Sequence, residues 1–303
     1  MGLDLLCLGE PLVEFNETEP GRWLEGFGGD VSNVAIAAAR LGARSGVASR
    51  LGTDGFGDAL ARLWAAEGVD ASAVARDPEA PTGLYFVRHG PEGHEFEYRR
   101  AGSAAARMTP ADLPLSAIRA ARCLHLSGIS QAISPSAAEA GFAAIEAARA
   151  AGVPVSYDPN LRLRLWSLED ARETIHAAMA RVDIALPGLD DARKLTGREA
   201  PEAICDFYLD LGARVVALTM GSEGVMVATA ETRVSIPARK AEAVDATGAG
   251  DCFDGAFLTR WLETGDAEAS ARFASAAASL SVEGWGAVAP LPRRAAVEAM
   301  LGA

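Results

Sequence analysis

The residues best suited to chemistry lie in one stretch, AEAVDATGAGDCFDGAF, residues 241–257. Gly248 and Gly250 make a flexible turn, and Asp251 follows at the start of a segment whose apolar residues have helical spacing. Backbone amides at a helix start beside glycines form an anion site. An Asp in a first helical turn also serves as a cap or balances the helix dipole. The stretch predicts either a phosphate-binding turn with Asp251 as proton acceptor, or an ordinary strand-to-helix turn.

The residues just before this turn carry hard oxygen atoms. Asp245 and Thr247 indicate either a site for a monovalent cation or hydrogen bonds within the loop. The sequence contains no G-x-x-x-x-G-K-[ST] run, and Phe253 stands where a dinucleotide fingerprint needs its third glycine. These two common phosphate motifs are therefore excluded.

The elements that must position the turn alternate along the chain. Short buried apolar runs indicate strands, and the Ala-rich segments between them have the spacing of helices. Strands are predicted at 5–10, 45–52, 123–128, 153–160, 182–187 and 214–221, and helices at 33–43, 58–69, 136–153 and 170–182. This alternation predicts an α/β fold with a mostly parallel central sheet and helices on both faces.

Two segments break the alternation, at about 11–30 and 82–100. Their apolar and polar residues alternate between Gly/Pro turns, which predicts two antiparallel hairpins. Ligands of open α/β sheets bind beyond the carboxyl ends of the strands, where a small antiparallel β lid would exclude water. We expect residues 1–303 to form a single domain that carries this lid. The flat apolar lid strands also predict a homodimer through the lid.

The composition narrows the class of protein. Half of the 303 residues are hydrophobic, which supports a sizeable core, and the net charge of −13 argues against a nucleic-acid surface. The four cysteines form no C-x-x-C pair, so buried thiols in a reducing compartment are expected. The first residues lack a basic leader, and their apolar run is too short for a membrane span. We expect a cytoplasmic protein without a membrane or nucleic-acid partner.

Four separated segments occur in the order typical of one family. GGDVSN, RLGTDGFGD, DPNLR and DATGAGDCF together resemble the ribokinase-like (PfkB) carbohydrate kinases over essentially the whole chain. The resemblance implies a ribokinase-like fold, ATP and Mg²⁺ as cofactors, and phosphorylation of a sugar hydroxyl.

The resemblance also assigns roles to the glycine turn. Asp251 would be the general base that accepts the proton of the attacking hydroxyl and would touch the sugar. The amides of Gly248, Ala249 and Gly250 would stabilise the charge that develops on the transferring phosphoryl group.

The segment FGGDVSN matches the sugar-binding signature of the family. By this resemblance Gly28 and Gly29 would let the backbone approach the sugar, while Asp30 and Asn33 would hydrogen-bond its hydroxyls. Taken alone, the segment is equally a Gly-rich turn with Asn33 in the first turn of the next helix.

Metal and nucleotide positions follow from the same resemblance. Asp245 and Thr247 match positions that help to bind a K⁺-like ion in this family. Many members have Asn-x-x-Glu where this chain has Gly188 and Asp191, so we expect Asp191 to hold magnesium through an additional water, alone or together with Asp190. The residues expected to contact ATP are Thr219, Gly221, Gly224, Gly248, Gly250 and Ser275.

The identity of the sugar depends on weaker signals. The start GEPLVEF resembles family members that act on 2-keto-3-deoxygluconate, a sugar acid. Tyr85, Tyr98, Arg99 and Arg100 lie on the second predicted hairpin, and Arg162 follows DPN. Of these we expect Tyr85, Tyr98, Arg99 and Arg162 to bind the sugar. Arginine offers a carboxylate a planar pair of donors, so converging arginines in an acidic protein favour a sugar acid. The expected reaction is ATP-dependent phosphorylation of 2-keto-3-deoxygluconate to its 6-phosphate.

Two alternatives stay open. A fructokinase, or another ketose or nucleoside kinase of the family, would share the same turn and lid. The replacement at Gly188 is also compatible with a sensor that binds sugar and nucleotide without efficient transfer.

Overall fold

The chain folds into two β-sheets and a set of helices that surround the larger sheet. The computed structural model of the protein describes residues 2–90 and 93–302, apart from the side chains at 89 and 94. The strands are β1 (Leu5–Leu8), β2 (Leu12–Glu19), β3 (Arg22–Gly28), β4 (Ser45–Gly52), β5 (Asp70–Asp77), β6 (Leu84–Gly90), β7 (Gly93–Arg99), β8 (Cys123–Ser127), β9 (Val155–Asp158), β10 (Ile184–Ala185), β11 (Val215–Thr219), β12 (Val225–Ala228) and β13 (Arg233–Ile236). The helices are α1 (Asp30–Arg40), α2 (Gly55–Glu67), α3 (Leu115–Ala120), α4 (Gly128–Ala132), α5 (Pro135–Ala150), α6 (Leu168–Met179), α7 (Leu189–Thr196), α8 (Pro201–Leu211), α9 (Ala249–Thr264), α10 (Ala267–Ser281) and α11 (Arg294–Gly302).

The larger sheet has nine strands in the order β13-β12-β11-β10-β9-β8-β1-β4-β5. The strands from β11 to β5 pair in parallel, and β12 and β13 extend one edge as antiparallel neighbours. Every strand predicted for this sheet is present, whereas β5, β12 and β13 were not foreseen. The predicted α/β fold with a mostly parallel sheet is confirmed.

Both faces of the larger sheet are buried under helices. On β1, Leu5 and Cys7 belong to an apolar layer shared with α1, α9 and α10, while Leu6 and Leu8 belong to a second layer shared with α5, α6 and α8. Parallel strands covered on both faces need apolar residues at successive positions, which explains the continuous apolar runs in the sequence. Among the residues that the structure describes, no helix is long and apolar enough to cross a membrane.

The lid is a four-stranded sheet in the order β3-β2-β6-β7. The two predicted hairpins are present, since β2 pairs antiparallel with β3 and β6 pairs antiparallel with β7. The hairpins are joined through β2 and β6, which run parallel to each other. This register aligns Glu14 with Tyr85 and Tyr85 with Tyr98, so the three side chains share one face of the lid. The turn between β6 and β7 lies outside the described residues.

Two helices begin at glycines with positive φ angles. Gly29, which precedes α1, has a φ of 92°, and a Cβ there would collide with the carbonyl oxygen of Glu10. Gly248, which precedes α9, has a φ of 75°, and a Cβ there would lie 3.0 Å from Ala287. Only glycine combines such backbone angles with such close packing at low cost. Each turn delivers a helix start that faces the lid side of the sheet.

Candidate active site

Two cavities meet at the start of α9. The first, of about 640 Å³, lies between the lid and the carboxyl ends of the larger sheet, and Asp251 is part of its wall. The second, of about 580 Å³, lies beside β11, the segment before the glycine turn and α10. Ala246 and Gly250 line both cavities. Molecules bound in the two cavities would therefore approach each other at the glycine turn.

Asp251 has the protonation behaviour of a base that works near neutral pH. Loss of solvent contact raises the pKa of its carboxyl group to about 7, and the negative charge of Asp30 adds to this rise. Two neighbours oppose the rise: Asn33 Nδ2 donates a hydrogen bond of 2.7 Å to Asp251 Oδ2, and Arg162 contributes its positive charge. A carboxylate with a pKa near the working pH is suited to accept a proton from a hydroxyl.

Further carboxyl groups surround Asp251. Asp158, at the end of β9, lines the first cavity, and burial raises its pKa well above the usual range. Asp254 follows one turn later on α9, is buried, and also has a strongly raised pKa because of burial. Neither residue was predicted to belong to the site. The signals were present, since Asp158 begins DPNLR and Asp254 is three residues after Asp251, on the same side of a helix.

The amides of the glycine turn are not all available to a ligand. The Ala249 amide donates to the Ala246 carbonyl oxygen at 3.2 Å, so it is already used within the turn. In the described part of the chain, no backbone carbonyl accepts from the amide of Gly250, and a Cβ at Gly250 would meet no atom within 4 Å. Of the three expected donors, Ala249 therefore already has an acceptor within the turn.

Asp245 and Thr247 form a closed hydrogen-bonded turn. Asp245 Oδ1 accepts from the amide of Thr247 at 2.9 Å and from its hydroxyl at 2.7 Å. Asp245 Oδ2 accepts from the Gly286 amide at 2.9 Å. The hydrogen bonds within the loop, one of the two predictions for Asp245 and Thr247, are therefore present. Across residues 2–90 and 93–302, no group of three or more His, Cys, Asp or Glu side chains is arranged to hold a metal ion.

Asp191 lies behind the first cavity and lines neither cavity. Its Oδ2 accepts from the Leu161 amide at 3.0 Å, and burial raises its pKa against the opposing charge of Arg162. Its neighbour Asp190 points to solvent with a side chain that is 89% exposed, beside Arg193. The chemistry of the Asp191 carboxylate suits a magnesium ion held through water, but the structure does not bring it to the cavity wall.

Most residues expected to bind the sugar line the first cavity: Gly29, Asp30, Asn33, Tyr85, Tyr98, Arg162 and Asp251. Arg99 does not, because its side chain is 66% exposed and pairs with Glu97. Adjacent residues at a strand end point to opposite sides, so Arg100 faces the cavity in its place. Gly28 is also outside the cavity wall, and a side chain there would collide with the Tyr85 hydroxyl. These two expectations are corrected.

The hydroxyl of Tyr85 is held by a carboxylate of the lid. It donates to Glu14 Oε2 across the parallel strand pair. Tyr85 is buried, and its ring lies 5.7 Å from that of Tyr98. Glu14, the second acid in GEPLVEF, thus holds the hydroxyl of Tyr85, whose ring forms part of the wall of the first cavity.

A buried ion pair lies at the floor of the same cavity. Glu10, at 1% exposure, pairs with Arg100 and accepts from the Ser103 hydroxyl at 3.0 Å. Burial raises the pKa of Glu10, and the charge of Arg100 opposes that rise. The positive charge of Arg100 is therefore balanced by Glu10, and two arginines of the cavity wall lie apart from this pair, Arg162 and Arg164.

Arg164 connects the loop after β9 with the lid. Its Nη1 donates to the Phe96 carbonyl oxygen of β7 at 3.0 Å, and its side chain lines the first cavity. No role was predicted for this residue. It stands two positions after Arg162 in the exposed loop DPNLRLR, so its position in the sequence was the only available signal.

The second cavity contains most of the residues expected to contact a nucleotide. Thr219, Gly221, Gly224, Gly250 and Ser275 line it, and Gly248 does not. Phe253 and Val282 give it an apolar side, and Arg239 and Lys240, which the sequence analysis did not name, bring positive charge to its edge. An apolar wall next to glycine backbone and basic side chains suits a base and its phosphates.

The fold and the two adjoining cavities define an enzyme that brings two small molecules together beside a carboxylate base. Residues 4–294 match the pfkB family of carbohydrate kinases, and the chain belongs to this family, which makes it a sugar kinase. It is 33% identical to a 2-dehydro-3-deoxygluconokinase of Bacillus subtilis, over 100% of this chain and 97% of the relative. It is 35% identical to fructokinase-2 of Solanum habrochaites, over 86% of this chain and 82% of the relative.

A solved structure resembles the whole chain. The fructokinase of Vibrio cholerae O395, with fructose, ADP and calcium ion bound, has a TM-score of 0.89 and 28% identity, over 99% of both chains. The predicted family and the predicted kinase activity are confirmed by these comparisons.

Proposed function

We propose that this kinase transfers the terminal phosphoryl group of ATP to the 6-hydroxyl of 2-keto-3-deoxygluconate, which is also named 2-dehydro-3-deoxygluconate. The relatives include kinases of this sugar acid and fructokinases at similar identity, so the choice rests on the first cavity. The observation that carries it is the pair Arg162 and Arg164, which line this cavity in a protein of net charge −13. Their guanidinium groups suit the carboxylate of a sugar acid.

The reaction follows from the arrangement around the glycine turn. The sugar lies in the first cavity with one hydroxyl against Asp251, which takes the hydroxyl proton as the oxygen forms its bond to the terminal phosphorus of ATP. The bond between that phosphorus and the bridging oxygen breaks, and ADP leaves from the second cavity. The amides of Gly248 and Gly250 face the charge that develops on the transferring group. The lid above the first cavity keeps water from competing with the sugar.

The cofactor positions are part of the proposal. ATP occupies the second cavity, against Thr219, Gly221, Gly224 and Ser275. Asp191, which lies outside the cavity wall, would hold Mg²⁺ through water, and the ion would neutralise phosphate charge. Asp245 and Thr247 would hold K⁺ once their hydrogen-bonded turn opens. Support for the divalent ion comes from the calcium-bound fructokinase relative and from the donor chemistry of Asp191.

The organisation of the molecule completes the proposal. We propose one domain over residues 1–303, a homodimer formed through the lid, and a cytoplasmic location. All four cysteines are free and buried, as suits a reducing compartment. Leu24 on β3 is 62% exposed, which gives the lid an apolar surface for a second copy.

The first experiment measures turnover. Purified protein is assayed by coupled ADP detection with 2-keto-3-deoxygluconate, fructose and other sugars, with and without K⁺. We expect the sugar acid to give the highest kcat/KM. Asp251→Asn should lower kcat by at least 100-fold while sugar binding persists, since only the proton acceptor is lost. Asp206→Asn, which changes an exposed carboxylate outside both cavities, is the matched control and should keep full activity.

Other outcomes favour the alternatives. Preferential turnover of fructose would make the protein a fructokinase, and similar 33–35% identities to both kinds of relative keep this candidate open. Binding of sugar and nucleotide with no transfer across the panel would indicate a sensor, in line with Gly188 in the place of Asn.

The second experiment tests the arginines. Arg162→Ala should raise KM for the sugar acid by about 10- to 100-fold and KM for fructose far less, because only the acid offers a carboxylate. Arg99→Ala, at an exposed position outside the cavity, serves as the control. Equal losses for the acid and the neutral sugar would refute the assignment.

A further inference from the structure

The loop after β9 carries two arginines of the first cavity and is held near both of its ends. At its start Asn160, with a φ of 33°, donates from its amide to Asp158 Oδ1 at 3.0 Å. The side chain of Asn160 also donates to Asp30 Oδ2 at 3.2 Å. Farther along, Arg164 donates to the Phe96 carbonyl oxygen at 3.0 Å. These contacts leave the middle of the loop, residues 161–163, to be fixed by other partners.

The guanidinium group of Arg162 is oriented by the backbone of the residue before it. Its Nη1 donates to the Leu161 carbonyl oxygen at 2.9 Å, and its exposed side chain lies along the wall of the first cavity. Among the residues that the structure describes, no carboxylate lies within ion-pair distance of Arg162. An arginine side chain has many rotamers, so one without an ion pair is fixed only by the contacts that remain. The direction of the Leu161 carbonyl therefore decides where this guanidinium group lies.

Asp191 holds the backbone of the same leucine from behind the cavity. Its Oδ2 accepts from the Leu161 amide at 3.0 Å. The Leu161 side chain is buried in one apolar layer with Leu189 and Ala192, the two neighbours of Asp191 in the first turns of α7. Asp191 lines neither cavity, so it acts on a bound sugar only through other residues. Two hydrogen bonds thus connect it, through Leu161, to the cavity wall.

We propose that Asp191 is a positioning residue for the sugar acid. Its Oδ2 fixes the backbone of Leu161, the Leu161 carbonyl fixes Arg162, and the guanidinium group is thereby set to receive the carboxylate of the substrate. This inference rests on the proposed function, which gives Arg162 that carboxylate. It is separate from the magnesium proposal and uses a different atom, because Asp191 Oδ1 accepts no hydrogen bond from the described residues and would remain for an ion.

Sugar binding without nucleotide or divalent metal separates this role from a magnesium role. Isothermal titration calorimetry in EDTA gives the Kd of 2-keto-3-deoxygluconate and of fructose. Asp191→Ala should raise the Kd of the acid about 10-fold and that of fructose less than about 3-fold, since only the acid depends on the position of the guanidinium group. Asp191→Asn keeps an oxygen acceptor for the Leu161 amide and should stay within about 3-fold of the wild type for both sugars. Asp206→Ala, at an exposed position outside both cavities, is the control.

A double variant shows whether the effect passes through Arg162. In the Arg162→Ala background, Asp191→Ala should change the Kd of the acid by less than about 2-fold, because the group that it positions is already gone. The inference is overturned if Asp191→Ala alone changes this Kd less than about 2-fold, if Asp191→Asn loses as much affinity as Asp191→Ala, or if the two single losses multiply in the double variant. Where Asp191→Ala does not fold, Asp191→Ser replaces it, since its hydroxyl ends one bond short of the position of Oδ2.

The two proposals fail in distinguishable ways. If Arg162→Ala weakens the acid and fructose equally, the carboxylate assignment of the proposed function fails, and the double variant still reports whether Asp191 acts through Arg162. If Arg162→Ala weakens the acid selectively and Asp191→Ala changes nothing, the proposed function stands and the positioning role falls. The dependence of kcat on magnesium concentration in Asp191→Asn tests the ion site separately.

Discussion

The hydrogen bond from Asn33 to Asp251 allows a quantitative test of the base. Asn33→Leu keeps the approximate size of the buried side chain and removes the Nδ2 donor that lies 2.7 Å from Asp251 Oδ2. A hydrogen bond to a charged group contributes about 1.5–3 kcal/mol, and 1.36 kcal/mol corresponds to one pKa unit. The pKa of Asp251, raised by burial to about 7, should therefore rise by about a further 1–2 units.

The sign of the effect on activity follows from the role of the carboxylate. Only the ionised form accepts a proton, so a higher pKa moves the acid limb of the kcat–pH profile to higher pH. At pH 7 the ionised fraction should fall from about one half to roughly 1–10%, and kcat should fall about 5- to 50-fold. Near pH 10 both proteins are ionised, and the difference in kcat should largely vanish. Asn33 also lines the sugar cavity, so kcat is measured at saturating sugar.

The control is the neighbouring residue of α1. Ser32 accepts from Trp64 Nε1 at 2.9 Å and points away from Asp251, so Ser32→Ala removes a buried polar contact of the same helix without touching the base. Its pH profile should match that of the wild type. An Asn33→Leu enzyme whose activity is reduced equally at pH 7 and pH 10 would show that Asn33 does not act through the ionisation of Asp251.

The remaining predictions concern the glycine turn and the lid. A Cβ at Gly250 meets no atom within 4 Å, so Gly250→Ala should keep the melting temperature within about 2 °C but raise KM for ATP, because the methyl group projects where the cavities meet. Gly248→Ala should instead lose about 1–3 kcal/mol in chemical denaturation, since its φ of 75° and the contact with Ala287 both oppose a side chain. Equal stability of the two variants would contradict this account. Sedimentation at micromolar concentration should give a dimer that Leu24→Glu dissociates, and a monomer for the wild type would remove the proposed lid interface.

The larger sheet was predictable where strands are buried on both faces. Residues 123–127 are all buried and residues 215–218 form a continuous apolar run, because parallel strands covered by helices have no solvent-exposed face. β5 escaped prediction because it is an edge strand whose residues are largely exposed and include Asp and Arg. β12 and β13 form an antiparallel hairpin, so no helix separates them to mark the alternation.

The candidate site was predictable where its chemistry is local in sequence. The glycine turn with Asp251 requires one short stretch, and the structure places it between two cavities. Whether Arg99 or Arg100 faces the cavity depends on which side of the lid each residue occupies. The pairing of β6 with β7 sets these sides, and the sequence alone does not fix that pairing. Glu10 and Arg100 are 90 positions apart in the sequence, so no local sequence pattern indicates that they pair.

Because the protein is acidic, neutralising carboxylates at this site is as important as attracting an anionic substrate to it. By Coulomb's law, two unit charges about 6 Å apart at an effective dielectric constant of about 20 repel by roughly 3 kcal/mol. Each ionised carboxylate near the transferring phosphoryl group would therefore add a barrier of that order. Pairing of Glu10 with Arg100 offsets one such charge. Asp251 is the carboxylate that must be ionised in the proposed reaction. Arg162 and Arg164, which also line the cavity, can then bind an anionic substrate. In a sugar kinase with net charge −13, the ion pair of Glu10 with Arg100 limits the negative charge that the cavity presents to an anionic substrate.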